Sequence, residues 1–410
     1  MSGLAPDGGL YVPEEIPRYP RSVLSSLKKM SFADIAIETI RPYVKGEIPD
    51  SALEEIVSSA YNFDVPIVSV GDRFVLELFH GPTAAFKDFG ARFMARTFSF
   101  LRRGEDRPLK ILVATSGDTG GAVADGFFGV EGITVTVLYP KGRVSPLQER
   151  QIAGLGGNIG AIAVEGSFDD CQRLVKAAFG NDTVRAKLDI SSANSINIAR
   201  LVPQAIYYTA ASASPKLNGK RPLFFSVPSG NFGNLTAGVY AMKMGAPIKK
   251  FIAATNINKT FPDYLESGEY NTRISLATIS NAMDVGAPSN FERLSAHWGL
   301  DKLRGFLFST YVTDDSTREC IKDTFLKYSY ALDPHGAVGW RAVDQLKAKG
   351  RASGENIAVL ATAHPAKFSE TVKPLIGEIP LPETLHKVME RTVNSTTIPP
   401  SNDALIELLV

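Results

Sequence analysis

The stretch HGPTAAFKDFG at residues 80–90 places one lysine between two aromatic residues, where a turn-rich segment gives way to a helical pattern. Phe86 and Phe89 are positioned to shield the amine of Lys87 from water, and burial lowers the pKa of a lysine because it penalises the charged form. An amine that is less protonated can form a Schiff base with an aldehyde. The alternative is an ordinary helix-start lysine beside buried aromatic side chains.

Composition indicates a globular chain of ordinary kind. Its 410 residues are enough for two or three domains, with 44% hydrophobic and 21% charged residues. The net charge of +1 gives no support for a nucleic acid or a charged membrane as partner. Cys171 and Cys320 lie far apart and the N-terminus shows no apolar signal-type stretch, so we expect a reducing, cytoplasmic location. The five histidines have no metal-ligand spacing, so no metal site is expected.

Short apolar strands alternate with helical patterns along most of the chain, which is typical of an α/β protein with parallel sheets covered on both faces. The predicted strands are 111–114, 133–138, 161–164, 223–227, 251–255 and 357–362. The predicted helices are 32–43, 51–61, 120–128, 145–154, 168–179, 195–211 and 233–244. One doubly wound sheet of this length would be very wide, so we expect two sheets, with ligands at the carboxyl ends of the strands.

Two glycine-rich loops follow predicted strands and precede predicted helices. The loop TSGDTGG at 115–121 offers hydroxyls and backbone N–H groups at a helix N-terminus, which suits a carboxylate or phosphate. The loop PSGNFGN at 228–234 has no cation, so a phosphate there would be held by backbone N–H groups. It is neither a Walker A loop nor a dinucleotide fingerprint. Helix capping and a simple turn are the respective alternatives.

Two further segments carry candidate site residues. The segment YPKGRVSP at 139–146 places Lys141 and Arg143 just before a helix that Ser145 is suited to cap, which makes it a possible cationic phosphate site or a solvated surface loop. In ATAHPAKF at 361–368, Thr362 ends a strand. Its hydroxyl would be a neutral partner for a pyridine nitrogen, or it simply satisfies the backbone.

Together these segments, in this order, resemble the fold type II pyridoxal-phosphate enzymes, and the threonine synthase family most closely. HGPTAAFKDFGARF (80–93), SGDTGGAV (116–123), NSINIAR (194–200), SGNFGN (229–234) and ATAHPAKF (361–368) are similar to motifs of that family, and the resemblance begins near Gly8. A tyrosine-containing strand and a Ser-Thr-Arg-Gly motif, with which that family usually begins, have no counterpart in this sequence.

The resemblance implies that O-phospho-L-homoserine and water give L-threonine and phosphate, by β,γ-elimination and replacement on pyridoxal 5′-phosphate. Lys87 would form the Schiff base and act as the base near Cα and Cβ. The cofactor would further contact Asp118, near its 3′-oxygen, Thr362 at its pyridine nitrogen, and Ser229, Gly230, Asn231, Phe232, Gly233 and Asn234 at its phosphate. The substrate carboxylate would contact Ser116, Gly117, Thr119 and Gly120. The candidates for the substrate phosphate are Lys141, Arg143, Ser145, Asn194, Asn197 and Arg200.

The expected architecture is two parallel-type α/β domains with the cofactor in the cleft. Residues 1–70 would form an N-terminal helical segment, residues 95–210 the smaller domain, and residues 71–94 with 211–410 the large cofactor-binding domain. We expect a small-molecule substrate and a monomer or small homo-oligomer. The alternatives are a serine/threonine dehydratase, an O-phospho-amine lyase, or a catalytically silent homologue that binds a phosphorylated metabolite.

Overall fold

The structure is a computed structural model that describes residues 3–5, 7–219 and 221–410. Residues 1, 2 and 6 of the expected N-terminal segment, and residue 220 of the expected large domain, lie outside the described part. The described strands are β1 Ile67–Val70, β2 Arg73–Glu77, β3 Leu109–Ala114, β4 Ile133–Pro140, β5 Ile159–Val164, β6 Asp189–Ser192, β7 Leu223–Pro228, β8 Lys250–Thr255, β9 Leu307–Tyr311, β10 Asn356–Ala361 and β11 Thr396–Ile398.

The strands form two sheets, as the sequence predicts. The six-stranded sheet has the order β1-β2-β10-β7-β8-β9, and the five-stranded sheet has the order β11-β5-β4-β3-β6. All described pairings are parallel except β1 with β2. The expected α/β class with two parallel-type sheets is therefore confirmed.

Helices surround both sheets. They are α1 Arg21–Ser26, α2 Phe32–Val44, α3 Asp50–Ala60, α4 Lys87–Leu101, α5 Asp118–Phe127, α6 Pro146–Ala153, α7 Phe168–Gly180, α8 Asp182–Lys187, α9 Ile198–Leu201, α10 Ala205–Ala213, α11 Gly233–Met244, α12 Thr260–Ser267, α13 Phe291–His297, α14 Leu300–Phe306, α15 Asp314–Tyr328, α16 Pro334–Ala348, α17 Ser369–Ile376, α18 Glu383–Met389 and α19 Asn402–Leu409.

Neighbouring residues of a strand pack into different cores, which shows that both faces of each sheet are covered. In β7, Phe225 belongs to the cluster that α2, α10 and α11 share, whereas Phe224 faces the cluster of α16. In β3, Ile111 and Leu112 divide in the same way between two clusters. Strands that are buried on both sides need continuous apolar runs, which is why the sequence pattern revealed them.

The helix expected over residues 195–211 is interrupted in the structure. It becomes α9, a 3₁₀ turn over Val202–Gln204, and α10. Pro203 lies in the 3₁₀ turn and has no N–H to donate within an α-helix. The residues before α9 form a loop, and that loop reaches the site described below.

The last strand departs from the expected division of the chain. A single domain over residues 211–410 would require all of its strands to lie in the six-stranded sheet. β11, however, pairs with β5 in the five-stranded sheet. β11 has only three residues, two of which are threonines, so the sequence pattern does not reveal this strand or its pairing. The other boundaries of the three expected units remain a prediction.

Candidate active site

The lysine segment is held against the end of β10. Ala85 and Ala363 form an antiparallel bridge, Phe86 N–H donates to the carbonyl of Thr362 at 2.8 Å, and His364 N–H donates to the carbonyl of Ala84 at 3.0 Å. This pairing brings Lys87 and Thr362, far apart in the sequence, to one small inner cavity between the two sheets, which both residues line. A wider outer cavity of about 280 Å³ adjoins it, and Lys87 lines that cavity too.

Lys87 is the first residue of α4, and its amine lies 4.5 Å from the centre of the Phe86 ring. Burial, and after it the charge of Arg200, lower the pKa of Lys87 to about 8, against the opposing charge of Asp118. Within the described residues the amine has no hydrogen bond and no ion pair. The expected shielding by Phe86 is present, but Phe89 instead packs with aromatic rings that include Tyr207 at 5.0 Å.

The loop after β7 presents backbone donors to the inner cavity. All six of the residues 229–234 line it. The N–H of Ser229 is bonded to the carbonyl of Ala254, and its hydroxyl to that of Val227, so Ser229 has no donor left. From Gly230 to Asn234, the backbone N–H groups have no acceptor in the described part of the chain. Unpaired N–H groups at the start of a long helix suit an anion.

Gly230 lies in close contact with neighbouring backbone. A Cβ atom on it would lie 2.6 Å from the Cα of Met283 and 2.8 Å from the carbonyl oxygen of Ala282. That neighbouring segment is itself fixed, because the N–H of Ala282 donates to Nε2 of His335 at 3.2 Å. Only glycine fits here. At Gly233, in contrast, a Cβ would meet nothing closer than 3.4 Å.

Two amide side chains complete the loop in different ways. Asn231 connects loops, since its Nδ2 donates to the hydroxyl of Ser195 at 2.8 Å and its Oδ1 accepts from the N–H of Ser289. Asn234 accepts from the hydroxyls of Tyr207 and Tyr208 through Oδ1, while its Nδ2 is buried without a partner. An unpaired buried donor beside the free N–H groups adds to the attraction for an anion.

The loop after β3 is only partly available to a ligand. The N–H groups of Gly117 and Gly120 both donate to the hydroxyl of Thr115, at 2.9 and 2.8 Å. Their expected part in binding a carboxylate is therefore indirect, because they shape the loop and their own donors are occupied. Ser116 and Thr119 line the outer cavity, and the N–H groups of Asp118 and Thr119, the first two residues of α5, have no acceptor in the described part of the chain.

Asp118 is part of a buried network. Its Oδ1 lies 2.8 Å from Nζ of Lys367 and accepts from Nε2 of Gln148 at 3.0 Å. Burial raises the pKa of Asp118, but the charge and hydrogen bond of Lys367 outweigh this effect and keep the pKa below its ordinary value. Asp118 lines both cavities, and an ionised carboxylate therefore faces the same space as Lys87.

The structure separates the segment over 194–200 into three roles. Asn194 lines the outer cavity, but its amide is engaged with both backbone groups of Ala114. Asn197 caps α9 and lines neither cavity. Arg200 lines the inner cavity with its Nε unpartnered, and burial lowers its pKa to about 10. Of these three candidates, Arg200 is the one with a free donor at the site.

Lys141, Arg143 and Ser145 do not reach either cavity. Lys141 is half exposed and pairs with Glu165 at 3.2 Å. Ser145 caps α6 in a reciprocal box with Gln148. The structure thus favours the surface-loop and capping alternatives for this segment.

Sequence reasoning missed four residues that line the cleft or hold its walls. Ser195 joins Asn231, His335 lines the inner cavity with its Nδ1 2.8 Å from Asp333, and Lys367 holds Asp118. Lys176 of α7 contributes a cation to the outer cavity, opposite Glu292. Lys367 lies inside a motif that the sequence singled out, whereas Lys176 sits in an ordinary helix and gave no signal.

No group of side chains suited to a metal ion occurs among the described residues, and no helix described here is long and apolar enough to cross a membrane.

Comparison with protein families matches three parts of the chain. Residues 71–363 match the family described as pyridoxal-phosphate dependent enzyme. Residues 1–61 match the threonine synthase N terminus, and residues 336–409 match the threonine synthase C-terminal family.

Individual relatives agree over nearly full length. The threonine synthase of Escherichia coli (strain K12) is 42% identical, over 100% of this chain and 94% of its own. That of Saccharomyces cerevisiae is 37% identical, over 91% and 84%. The crystal structure of threonine synthase from E. coli superposes with a TM-score of 0.91 at 40% identity, over 99% of this chain and 94% of that one. The PLP-bound threonine synthase from Brucella melitensis gives 0.90 at 38% identity, with the same coverage. The chain therefore belongs to the threonine synthase family of pyridoxal-phosphate-dependent enzymes.

Proposed function

We propose that this protein converts O-phospho-L-homoserine and water into L-threonine and phosphate, with pyridoxal 5′-phosphate as its cofactor. The observation that carries the proposal is the inner cavity itself. It places an unpaired lysine amine, a loop of free backbone N–H groups and the strand-end Thr362 around one space. Those are the partners that the aldehyde, the phosphate and the pyridine nitrogen of this cofactor need.

The residues present fit the cofactor on three structural grounds. Lys87 has its pKa lowered to about 8 by burial, so a useful fraction of its amine is neutral near physiological pH. The backbone donors after Gly230 and the orphaned Nδ2 of Asn234 lack acceptors that a phosphate would provide. Gly230, which packs against the backbone of Met283 and Ala282 and lines the inner cavity, fixes the position of the loop that carries these donors.

The cofactor, when bound, supplies an electron sink that stabilises negative charge on the substrate carbons. Lys87 would hold the cofactor through its amine and, once substrate replaces it, would move protons at Cα and Cβ of the substrate. The ring of Phe86, whose centre lies 4.5 Å from the amine, limits the approach of water from that side. To complete the conversion, phosphate would leave from Cγ with the bonding electron pair, and Cγ would take up a proton to become a methyl group. Water would add a hydroxyl at Cβ, which has given up a proton.

We assign the substrate carboxylate to the first two N–H groups of α5, which are unpaired in the described part of the chain. The N–H groups of Asp118 and Thr119 point from a helix of ten residues, and the hydroxyls of Ser116 and Thr119 lie on the same cavity wall. A helix N-terminus favours an anion through its unpaired donors and its dipole. Gly117 and Gly120 keep the loop in shape through Thr115.

For the substrate phosphate, the outer cavity offers Lys176, and the inner cavity offers Arg200. Lys176 is solvent-exposed, so a phosphate can arrive and leave there without the desolvation cost that Arg200 would impose. We therefore propose Lys176, rather than Lys141 or Arg143, as the principal cation that binds the substrate phosphate. Arg200 is placed to act nearer the cofactor.

We further propose that the protein acts in a reducing, cytoplasmic compartment as a monomer or small homo-oligomer, without a nucleic-acid partner. Both cysteines are buried and free, which suits such a compartment. Light scattering on the purified chain would measure the oligomeric state.

The experiment that tests the proposed function measures products. Purified protein with pyridoxal phosphate is given O-phospho-L-homoserine, and threonine and phosphate are quantified together, beside Lys87→Ala as control. We expect one threonine per phosphate with the wild type and none with the variant. Release of a keto acid and ammonia from serine or threonine, with no threonine formed, would instead establish the dehydratase activity. Absence of any turnover by a cofactor-loaded protein would favour the silent homologue.

A further inference from the structure

Lys367 is a cation buried at the centre of the molecule. It lies in the 3₁₀ turn Pro365–Phe368, and its side chain has 0% of its surface exposed. Its Nζ is 2.8 Å from Oδ1 of Asp118 and donates to the carbonyl of Thr83 at 2.8 Å. The roles proposed above do not use this residue.

The contacts of Lys367 join the parts of the molecule that meet at the cleft. Asp118 is the first residue of α5, which packs on the five-stranded sheet. Thr83 belongs to the lysine segment, and its N–H and hydroxyl donate to the carboxylate of Asp88, at 2.9 and 2.6 Å. One ammonium group thus bridges a residue of the cleft wall and the turn that precedes Lys87.

Packing alone does not explain such a pair. Removing two charges from water is expensive, and apolar residues of similar size would often stabilise a core as well or better. Asp118 has a second cation nearby, because it shares both cavities with Lys87. Nevertheless, Lys87 has no carboxylate within 4.0 Å in the described part of the chain, while Asp118 is paired with Lys367.

We propose that Lys367 is a positioning residue for the reaction, because it engages the carboxylate of Asp118 and so leaves the amine of Lys87 free of an ion pair. This inference rests on the proposed role of Lys87. Without Lys367, the carboxylate of Asp118 would lose its ion pair, while Lys87 lines both of the cavities that Asp118 lines. An ion pair between Asp118 and Lys87 would hold the amine in its protonated form.

The charges around Lys87 determine the direction of the expected change. Asp118 raises the pKa of Lys87, whereas burial and Arg200 lower it. The other ionisable neighbours are Asp88, whose carboxylate is bonded to Thr83, and His335 on the inner cavity wall, whose Nδ1 faces Asp333. Lys176 and Glu292 line the outer cavity together with Lys87. Lys367 acts through Asp118, so two isosteric changes at this pair should move Lys87 in opposite directions.

The test measures the reactivity of Lys87 in the full chain freed of cofactor. Reductive methylation with formaldehyde and cyanoborohydride is followed across pH by mass spectrometry of the peptide that carries Lys87. In Lys367→Met, a newly available carboxylate should raise the pKa of Lys87 by about one, so methylation at neutral pH should slow about tenfold. In Asp118→Asn it should become faster than in the wild type, and in the double variant it should return toward the rate of Asp118→Asn.

The matched control is Lys373→Met, which makes the same chemical change at a half-exposed lysine whose partner is Glu378. It should leave the Lys87 profile unchanged. A Lys367→Met protein that unfolds earlier but keeps the wild-type Lys87 profile would show a structural role only and overturn the proposal. Should that variant not fold, an unchanged profile in Asp118→Asn would overturn it equally. Because the readout uses neither cofactor nor substrate, it is independent of whether threonine is the product.

Discussion

Adding a single methyl group at Gly230 should weaken cofactor binding, while the same addition at Gly233 should not. In Gly230→Ala the new Cβ would lie 2.6 Å from the Cα of Met283 and 2.8 Å from the carbonyl oxygen of Ala282. Both are backbone atoms, and the hydrogen bond from Ala282 to His335 resists their movement. Overpacking of this kind costs about 1–3 kcal/mol, which corresponds to a rise in the cofactor Kd of roughly fivefold to 150-fold if the loop moves to relieve it.

Gly233→Ala is the matched control, because its Cβ would lie 3.4 Å from Nδ2 of Asn290 and from Cβ of Ser195, which is ordinary contact. Titration of each cofactor-free variant with pyridoxal phosphate, followed by fluorescence, gives the Kd. Thermal unfolding of the same samples shows whether they are folded. An equal Kd for Gly230→Ala and the wild type, or an equal loss in both variants, would refute the assignment of this loop to the cofactor phosphate.

Two other predictions concern lysines. Burial, and after it Arg200, lower the pKa of Lys87 from an ordinary 10.5 to about 8. Between pH 8 and pH 10.5 the unfolded chain therefore binds more protons than the folded protein. The free energy of unfolding of the cofactor-free protein should consequently rise with pH across that window. Lys87→Met should remove this rise and increase the free energy of unfolding at pH 7 by about 3 kcal/mol, as measured by chemical denaturation. If the pH dependence of the variant equals that of the wild type, the burial of the amine is contradicted. In steady-state kinetics, Lys176→Ala should raise KM for O-phospho-L-homoserine about tenfold and leave the cofactor Kd unchanged. Lys141→Ala should alter neither constant. A raised KM in Lys141→Ala but not in Lys176→Ala would show that the substrate phosphate binds at the loop of Lys141.

The sequence predicted those features that depend on neighbours in the chain. The strands over β3, β4, β7 and β8 are apolar runs, and such runs have a local cause, namely burial on both faces of a sheet. Likewise, the loops at 115–121 and 228–234 were recognisable because their conformational freedom and their donors come from their own residues. Local chemistry of this kind is visible without knowledge of the fold.

Features that depend on partners distant in the chain could not be predicted in this way. Lys367 has the same appearance in the sequence whether its amine is exposed or paired with Asp118. The cationic segment with Lys141 and Arg143 resembled a phosphate site, yet Lys141 pairs with Glu165 and neither residue lines the cavities. Phe89 flanks Lys87 in the sequence but faces another core, since helical geometry separates residues two positions apart.

The attachment of the cofactor to Lys87 is the central claim, and borohydride reduction tests it most directly. The holoprotein is reduced, digested and mapped by mass spectrometry, beside an unreduced sample and Lys87→Ala. We predict that the pyridoxyl-phosphate mass is found on the peptide containing Lys87, that the unreduced sample lacks it, and that the variant carries it nowhere. Stoichiometric labelling of a different lysine, or labelling of Lys87→Ala at the wild-type level, would contradict the account.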